Sequence, residues 1–162
     1  MVRTEISLFL KNIPGELGKL AALLGEAGIN IDALTIQDAS SYVREIFQAR
    51  GKTLKRIASV ASYNSMRKDS AEFALIRLLA DDTDKAVDLL SQNDYIFDIM
   101  PVIALSLKNN PGELARISSK LGEEGVNINY VYGSVPTAES KCLFVFCPED
   151  IELAAKIFKD YR

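Results

Sequence analysis

The chain has 162 residues, of which 48% are hydrophobic and 25% charged, with a net charge of −3, the balance of a packed protein with room for one generous unit or two small ones. That acidity argues against a whole-chain role on phosphate backbones or anionic membranes, and no apolar run is long enough to span a bilayer, so a cytoplasmic location is expected. Histidine is absent, which removes the commonest general base and the commonest transition-metal ligand together, so no enzyme, metal site or cofactor is expected.

Ile6, Leu8 and Leu10 alternate with other residues, which predicts a strand with one face turned to a core. At Pro14 and Gly15 the period lengthens. Leu17, Leu20 and Leu24 recur at helical spacing, so a helix is predicted from Pro14, ended by Gly28 as a residue free to take positive φ. GINIDALTI opens a second strand. Between Tyr42 and Lys68, Val43, Phe47, Arg50, Leu54, Ile57 and Ala61 fall at alternating spacings of four and three, which predicts one bent helix or two short ones with a basic polar side. This insert is expected to cover Phe9, Phe73 and Leu75 on the strand face away from the helices, or else to dock a protein partner. Its RGKT invites a phosphate-loop reading, but Ile46 stands where that loop needs glycine. EFALIRLLA is a further strand. Asp81, Asp82 and Asp84 then read as the cap and solvated start of a helix over 81–90, and a strand around Phe97 to Val102 follows.

From there the order begins again. Ile103, Leu105 and Leu107 alternate, Pro111 and Gly112 turn, Leu114, Ile117 and Leu121 keep helical spacing, and Gly125 ends the helix. GVNINYVYGSV and KCLFVFC are strands, and a last helix spans 148–160. Cys142 and Cys147, at odd spacing in one strand, are expected on opposite faces and unbridged. Aligned without a gap, Ile6–Leu34 and Ile103–Val131 agree at roughly half of their positions, so the chain is two copies of one unit. The order β-α-β-β-α-β is the split βαβ, ferredoxin-like plan. We expect an α+β fold of two such units in tandem, 1–101 with a helical insertion at about 41–70, and 102–162 without a clear last strand. The strand at 102–108 therefore needs another partner.

The repeated LKNIPGELGKL and LKNNPGELARI carry the chemistry. A glycine beside the proline leaves backbone amides uncovered, and these with the positive helix end favour a small anion such as a carboxylate. The bland alternative is a capping pair of Asn110 with Glu113. The shared pattern LKNxPGELxxLxxxLGExGxNI closely resembles the ACT domain, and the whole chain outside the insertion resembles a tandem ACT protein. ACT domains bind amino acids and regulate enzymes or transcription factors, so the resemblance implies an amino-acid-binding regulator and a homodimer. It carries the ligand role to Asn12, Pro14, Gly15 and Asn30, and to Asn109, Pro111, Gly112 and Asn127. Their motif neighbours Ile13, Glu16, Leu17, Ile31, Asn110, Glu113, Leu114 and Ile128 complete the candidate ligand-binding set. Some members use a histidine near the end of the first strand, where Leu10 and Leu107 stand here, and Ile13 differs from Asn110, so the two sites are expected to be unequal.

A helix of about a dozen residues separates Asn12 from Asn30, roughly 15–20 Å, so one amino acid cannot touch both. The pocket is therefore expected at an interface, Asn12 with Asn127 and Asn109 with Asn30, within the chain or between chains. Two rivals remain. SLFLKNI and KCLFVFC resemble strands of the RNA-recognition motif, but ALSLKNN and EFALIRLL lack that family's aromatic and basic residues. A dimerising scaffold that binds no ligand shares the fold.

Overall fold

The structure is a computed structural model that describes residues 1–39, 73–134, 141–159 and 161. The expected insertion at 41–70, with its basic face and RGKT, lies outside the described residues. In chain order the elements are β1 (Val2–Lys11), α1 (Glu16–Glu26), β2 (Ile31–Asp38), β3 (Phe73–Ala80), α2 (Thr83–Gln92), β4 (Phe97–Lys108), α3 (Glu113–Glu123), β5 (Ile128–Ser134), β6 (Lys141–Pro148) and α4 (Ile151–Ile157). The strands form one antiparallel sheet in the order β2-β3-β1-β4-β6-β5.

The alternation in the sequence becomes a two-faced sheet. Ile6, Leu8 and Leu10 with Ile76 and Leu78 bury against Leu20, Leu24, Ala86 and Leu90 of the first unit's helices. Ile103, Leu105, Leu107 and Phe146 do the same under Ile117, Leu121, Ala154 and Phe158 of the second. Cross-strand pairing of Val2 with Ile103, and of Ile103 with Phe146, places all these residues on one helix-covered face. Phe9 opposite Leu75, and Lys11 opposite Phe73, lie on the other face, as the sequence pattern expects. Cys142 and Cys147 are free, buried and on opposite faces.

The strand expected around Phe97 to Val102 is the first half of a twelve-residue strand, and the expected unit boundary falls inside it. β4 closes the first unit by pairing with β1 from Val2–Ile103 to Leu8–Phe97, then runs on to pair with β6 from Ile103 to Lys108. The repeat relates Ile6 to Ile103 and Thr4 to Pro101, and Thr4 pairs with Pro101, so a pseudo-twofold axis passes through that pair. Each unit's first strand therefore serves as the other's fourth. The partner that 102–108 needs is the start of β1: Ala104 N–H donates to the Met1 carbonyl at 2.9 Å, and the Met1 nitrogen donates back to the Ala104 carbonyl. A proline is tolerated mid-strand at 101 because its side of β4 faces β6, whose ladder starts only at Ile103.

The helix starts differ from expectation. The helices begin at Glu16 and Glu113, not at the prolines, and Gly15 (φ 95°) and Gly112 (φ 91°) are the N-caps. Glu16 N–H donates to the Ile13 carbonyl at 3.4 Å and Glu113 N–H to that of Asn110 at 3.3 Å. Proline followed by a positive-φ glycine inside an i to i+3 bond is a type II turn, where proline presets the first corner and glycine alone takes the second without strain. That is why the dipeptide is written twice. A Cβ at Gly112 meets nothing within 4 Å, so Gly112→Ala is expected to cost only backbone strain, about 1–2 kcal/mol, in urea unfolding. Gly28 and Gly125 do take positive φ at the helix ends. Asp82 and Asp150 cap α2 and α4 by accepting from Lys85 N–H and Leu153 N–H. The last helix is shorter than expected, Ile151–Ile157.

Candidate functional site

The two turns stand at opposite ends of the sheet. Asn12, Ile13, Pro14 and Gly15, and likewise Asn110, Pro111 and Gly112, are exposed, while Asn109, Glu16 and Glu113 are partly covered. Neither helix receives a side-chain cap, so the capping pair of Asn110 with Glu113 is not made. Glu113 instead holds Arg116 at 2.7 Å, and Glu16 holds Lys19 at 2.6 Å. The Arg116 guanidinium is the main cause that keeps the Glu113 carboxyl below the usual carboxylate range. Each site therefore offers helix-start amides beside an acid already turned toward its own base. An acceptor such as a carboxylate fits the amides.

The second-strand asparagines are unequal. Asn30 Nδ2 donates to Asp32 at 3.1 Å, Asp32 is bridged to Arg3 at 2.8 Å, and the Asn30 backbone N–H donates to Asp81 at 2.9 Å. The two carbonyls are alike, Asn30 accepting from Asp81 N–H at 3.0 Å and Asn127 from Glu149 N–H at 2.9 Å, but at the equivalent place in the second unit Asn129 replaces Asp32. Gly125, Asn127 and Glu149 line an open depression there.

The register decides which residues meet. Lys11 stands beyond the last β1–β4 pair, Leu8–Phe97, whereas Ile128 pairs with Pro148, level with Pro101. Along the strands Asn12 and Asn127 are thus about seven residues apart, roughly 24 Å. By the pseudo-symmetry the same holds for Asn109 and Asn30. The chain does not bring either pair together on its own. The alternation holds, but the pseudo-axis runs through the first strands, and this pushes the turns outward rather than toward the other unit's second strand.

The ACT domain pair profile matches residues 46–159, more than half of the chain. The chain belongs to the ACT domain pair family. No curated protein sequence matches it. Among solved structures, a protein of Bacteroides thetaiotaomicron is similar over 99% of this chain and 88% of its own, with 26% identity and a TM-score of 0.71. The ligand-free regulatory subunit of aspartate kinase from Thermus thermophilus is similar in fold, with 14% identity, a TM-score of 0.54 and coverage of 99% and 95%. That of Thermus flavus gives 14%, 0.52, 99% and 94%. The expected fold class, two ferredoxin-like ACT units in tandem, holds.

In this ACT pair the helix-free sheet face is concave. The sheet curls until its edge strands β2 and β5 touch, and Ala33, Leu79, Val102, Ala104, Val145 and Cys147 form a buried apolar cluster inside the curl. RNA-recognition modules stack bases on an open face of this kind; here its centre is filled. Beside the apolar cluster lies a polar one that sequence reasoning missed. Glu5, fully buried, accepts from Tyr130 Oη at 2.5 Å, Tyr132 Oη at 2.8 Å and Ser7 Oγ at 3.2 Å, and Arg77 Nε lies 3.9 Å away. Burial is the main cause that drives both phenols far above their usual range, with Glu5 adding to it, so they remain hydrogen-bond donors. The available signal was the repeat itself: Glu5, Ser7 and Arg77 align with Val102, Ala104 and Val145. In an alternating strand read alone, Glu5 looks like a solvent residue.

Proposed function

We propose that this ACT pair is a regulatory sensor rather than a catalyst, and that it binds a free amino acid, or a similar small carboxylate, at the two glycine turns. The observation that carries this reading is the pair of helix starts left without side-chain caps at equivalent positions of both units. The similarity in fold to regulatory subunits of aspartate kinase agrees with it. Because Asn12 and Asn127 of one chain are too far apart, the pocket is completed by a second copy, whose second strand faces the turn. Exposed apolar Ile13, Leu17 and Leu114 beside the turns favour that closure, since an interface removes them from water. The second unit's Asn127, without an acid in the place of Asp32, is the better ligand partner. A few charge-assisted hydrogen bonds of ~1.5–3 kcal/mol each, less the cost of immobilisation, correspond to dissociation constants between about micromolar and millimolar.

Ligand that closes an interface favours the assembled state, and this differential affinity is the regulatory signal. Thermal shift against the twenty amino acids identifies the ligand. Sedimentation should then show that ligand drawing chains into dimers, and the Asn12→Ala/Asn127→Ala variant should need about tenfold more of it or fail to respond. A flat amino-acid panel would favour the ligand-free scaffold instead, and an unchanged response of the double variant would remove the turn pocket.

A further inference from the structure

The concave face carries a cavity of about 420 Å³ that belongs to neither glycine turn. Its walls follow from the register. Arg77, Ser7 and Asp98 are neighbours across β3, β1 and β4, and Leu75 and Phe9 are neighbours one step further out. Tyr130 closes the inner end.

Arg77 is the centre of this site. Its side chain is only 16% exposed, its guanidinium lies 4.1 Å from the Tyr130 ring centre, and its one ion pair among the described residues, to Glu5 at 3.9 Å, is too long for a hydrogen bond. Among the described residues it donates no hydrogen bond. No buried side-chain nitrogen or oxygen among them lacks a partner, so its unused donors open onto the cavity rather than into packed interior. A planar cation held by stacking, with free donors toward a cleft, matches a carboxylate. Asp98, exposed on the far side of Ser7, supplies the opposite charge. The outer wall of Phe9 and Leu75 is apolar.

The repeat provides an internal control. The counterparts of Glu5, Ser7, Arg77 and Tyr130 are Val102, Ala104, Val145 and Ala33, all four in the apolar cluster that closes the other half of the same face. This architecture closes with aliphatic side chains where it needs only closure. Buried charges are not retained for stability, since an apolar set of similar volume serves as well or better. The polar half therefore has another use.

We propose that this cavity is a second ligand site, for a zwitterion with an apolar side chain, such as a branched or aromatic α-amino acid. Its carboxylate lies on Arg77, its ammonium on Asp98 and its side chain on Phe9 and Leu75. A zwitterion adds no net charge beside Glu5, whereas a simple carboxylate would add a second negative charge. The cavity has room for either probe below.

The test is calorimetry on the full chain with L-leucine and L-phenylalanine, each compared with its amide and with its des-amino acid. Binding of an amino acid, at least tenfold weakened by loss of either end group, is the expected result. Arg77→Met should weaken it at least tenfold. Asp98→Asn should weaken it several-fold, and that exposed residue keeps its Oδ1 acceptor for Ile99 N–H, so its effect is read in a folded protein. The Asn12→Ala/Asn127→Ala variant should keep this binding, which separates the cavity from the turn pocket. Failure of the wild-type chain to bind either probe, binding unchanged in Asp98→Asn, or binding lost in the turn variant and kept in Arg77→Met would each overturn the proposal.

Discussion

Glu5→Ala is expected to destabilise the protein by about 3–5 kcal/mol, the range for removing one partner from a buried charged pair. The cost comes from what is left behind. Without the carboxylate, the Tyr132 hydroxyl loses its acceptor inside the curl, the Tyr130 hydroxyl keeps only the weak Met100 Sδ at 3.0 Å, and Arg77 loses its ion-pair partner among the described residues. The network also ties β1 to β5, residues 125 positions apart, so its loss loosens the curl that presses the two units together. Urea unfolding should show a lower midpoint, and a lowered slope would report an opened native sheet, which has less surface left to expose. The matched variant is Glu5→Val with Arg77→Val, Tyr130→Phe and Tyr132→Phe, which follows the dry half of the face at positions 5 and 77, keeps the ring volume at 130 and 132, and should recover most of the loss. A loss below about 1 kcal/mol for Glu5→Ala would mean that water reaches the carboxylate and that the network contributes little.

Val102→Pro is expected to be more severe, at least ~3 kcal/mol, and to unfold both units in one transition. Val102 is fully buried and pairs with Arg3, in the same hydrogen-bonding phase as Ala104, whose N–H donates to Met1. A proline there removes a central ladder bond and forces its ring into the joint between β1 and β4. Since β4 is the last strand of one unit and the first of the other, neither unit has a complete sheet without it. Thr4→Pro is the control. Thr4 is the counterpart of Pro101, its N–H points away from β4, and the β1–β3 ladder starts only at Ile6, so it should fold with little loss in a thermal melt followed by circular dichroism. Equal damage from both substitutions would refute the shared-strand account.

Much of the geometry of the two turns was legible because it is local. Proline beside glycine, an alternating run before and a helical run after are determined within a dozen residues, and the two copies state them twice. The placement of Phe9, Phe73 and Leu75 away from the helices followed from the same alternation. The error at Pro14 and Pro111 was also local: a proline suits the first turn of a helix and the corner of a type II turn equally well, and only the positive φ of Gly15 and Gly112 tells them apart.

By itself the sequence determined the two-copy plan, the helix-facing core and the pair of turns, because each depends on side-chain period and on what proline and glycine permit over short stretches. Tertiary structure alone decided that β4 serves both units, that Asn12 and Asn127 of one chain stand far apart, and that Glu5 faces two tyrosines instead of water. Those outcomes depend on strand register and on how far a twisted sheet curls, which are set by contacts between distant segments and leave no mark in the local pattern of either one.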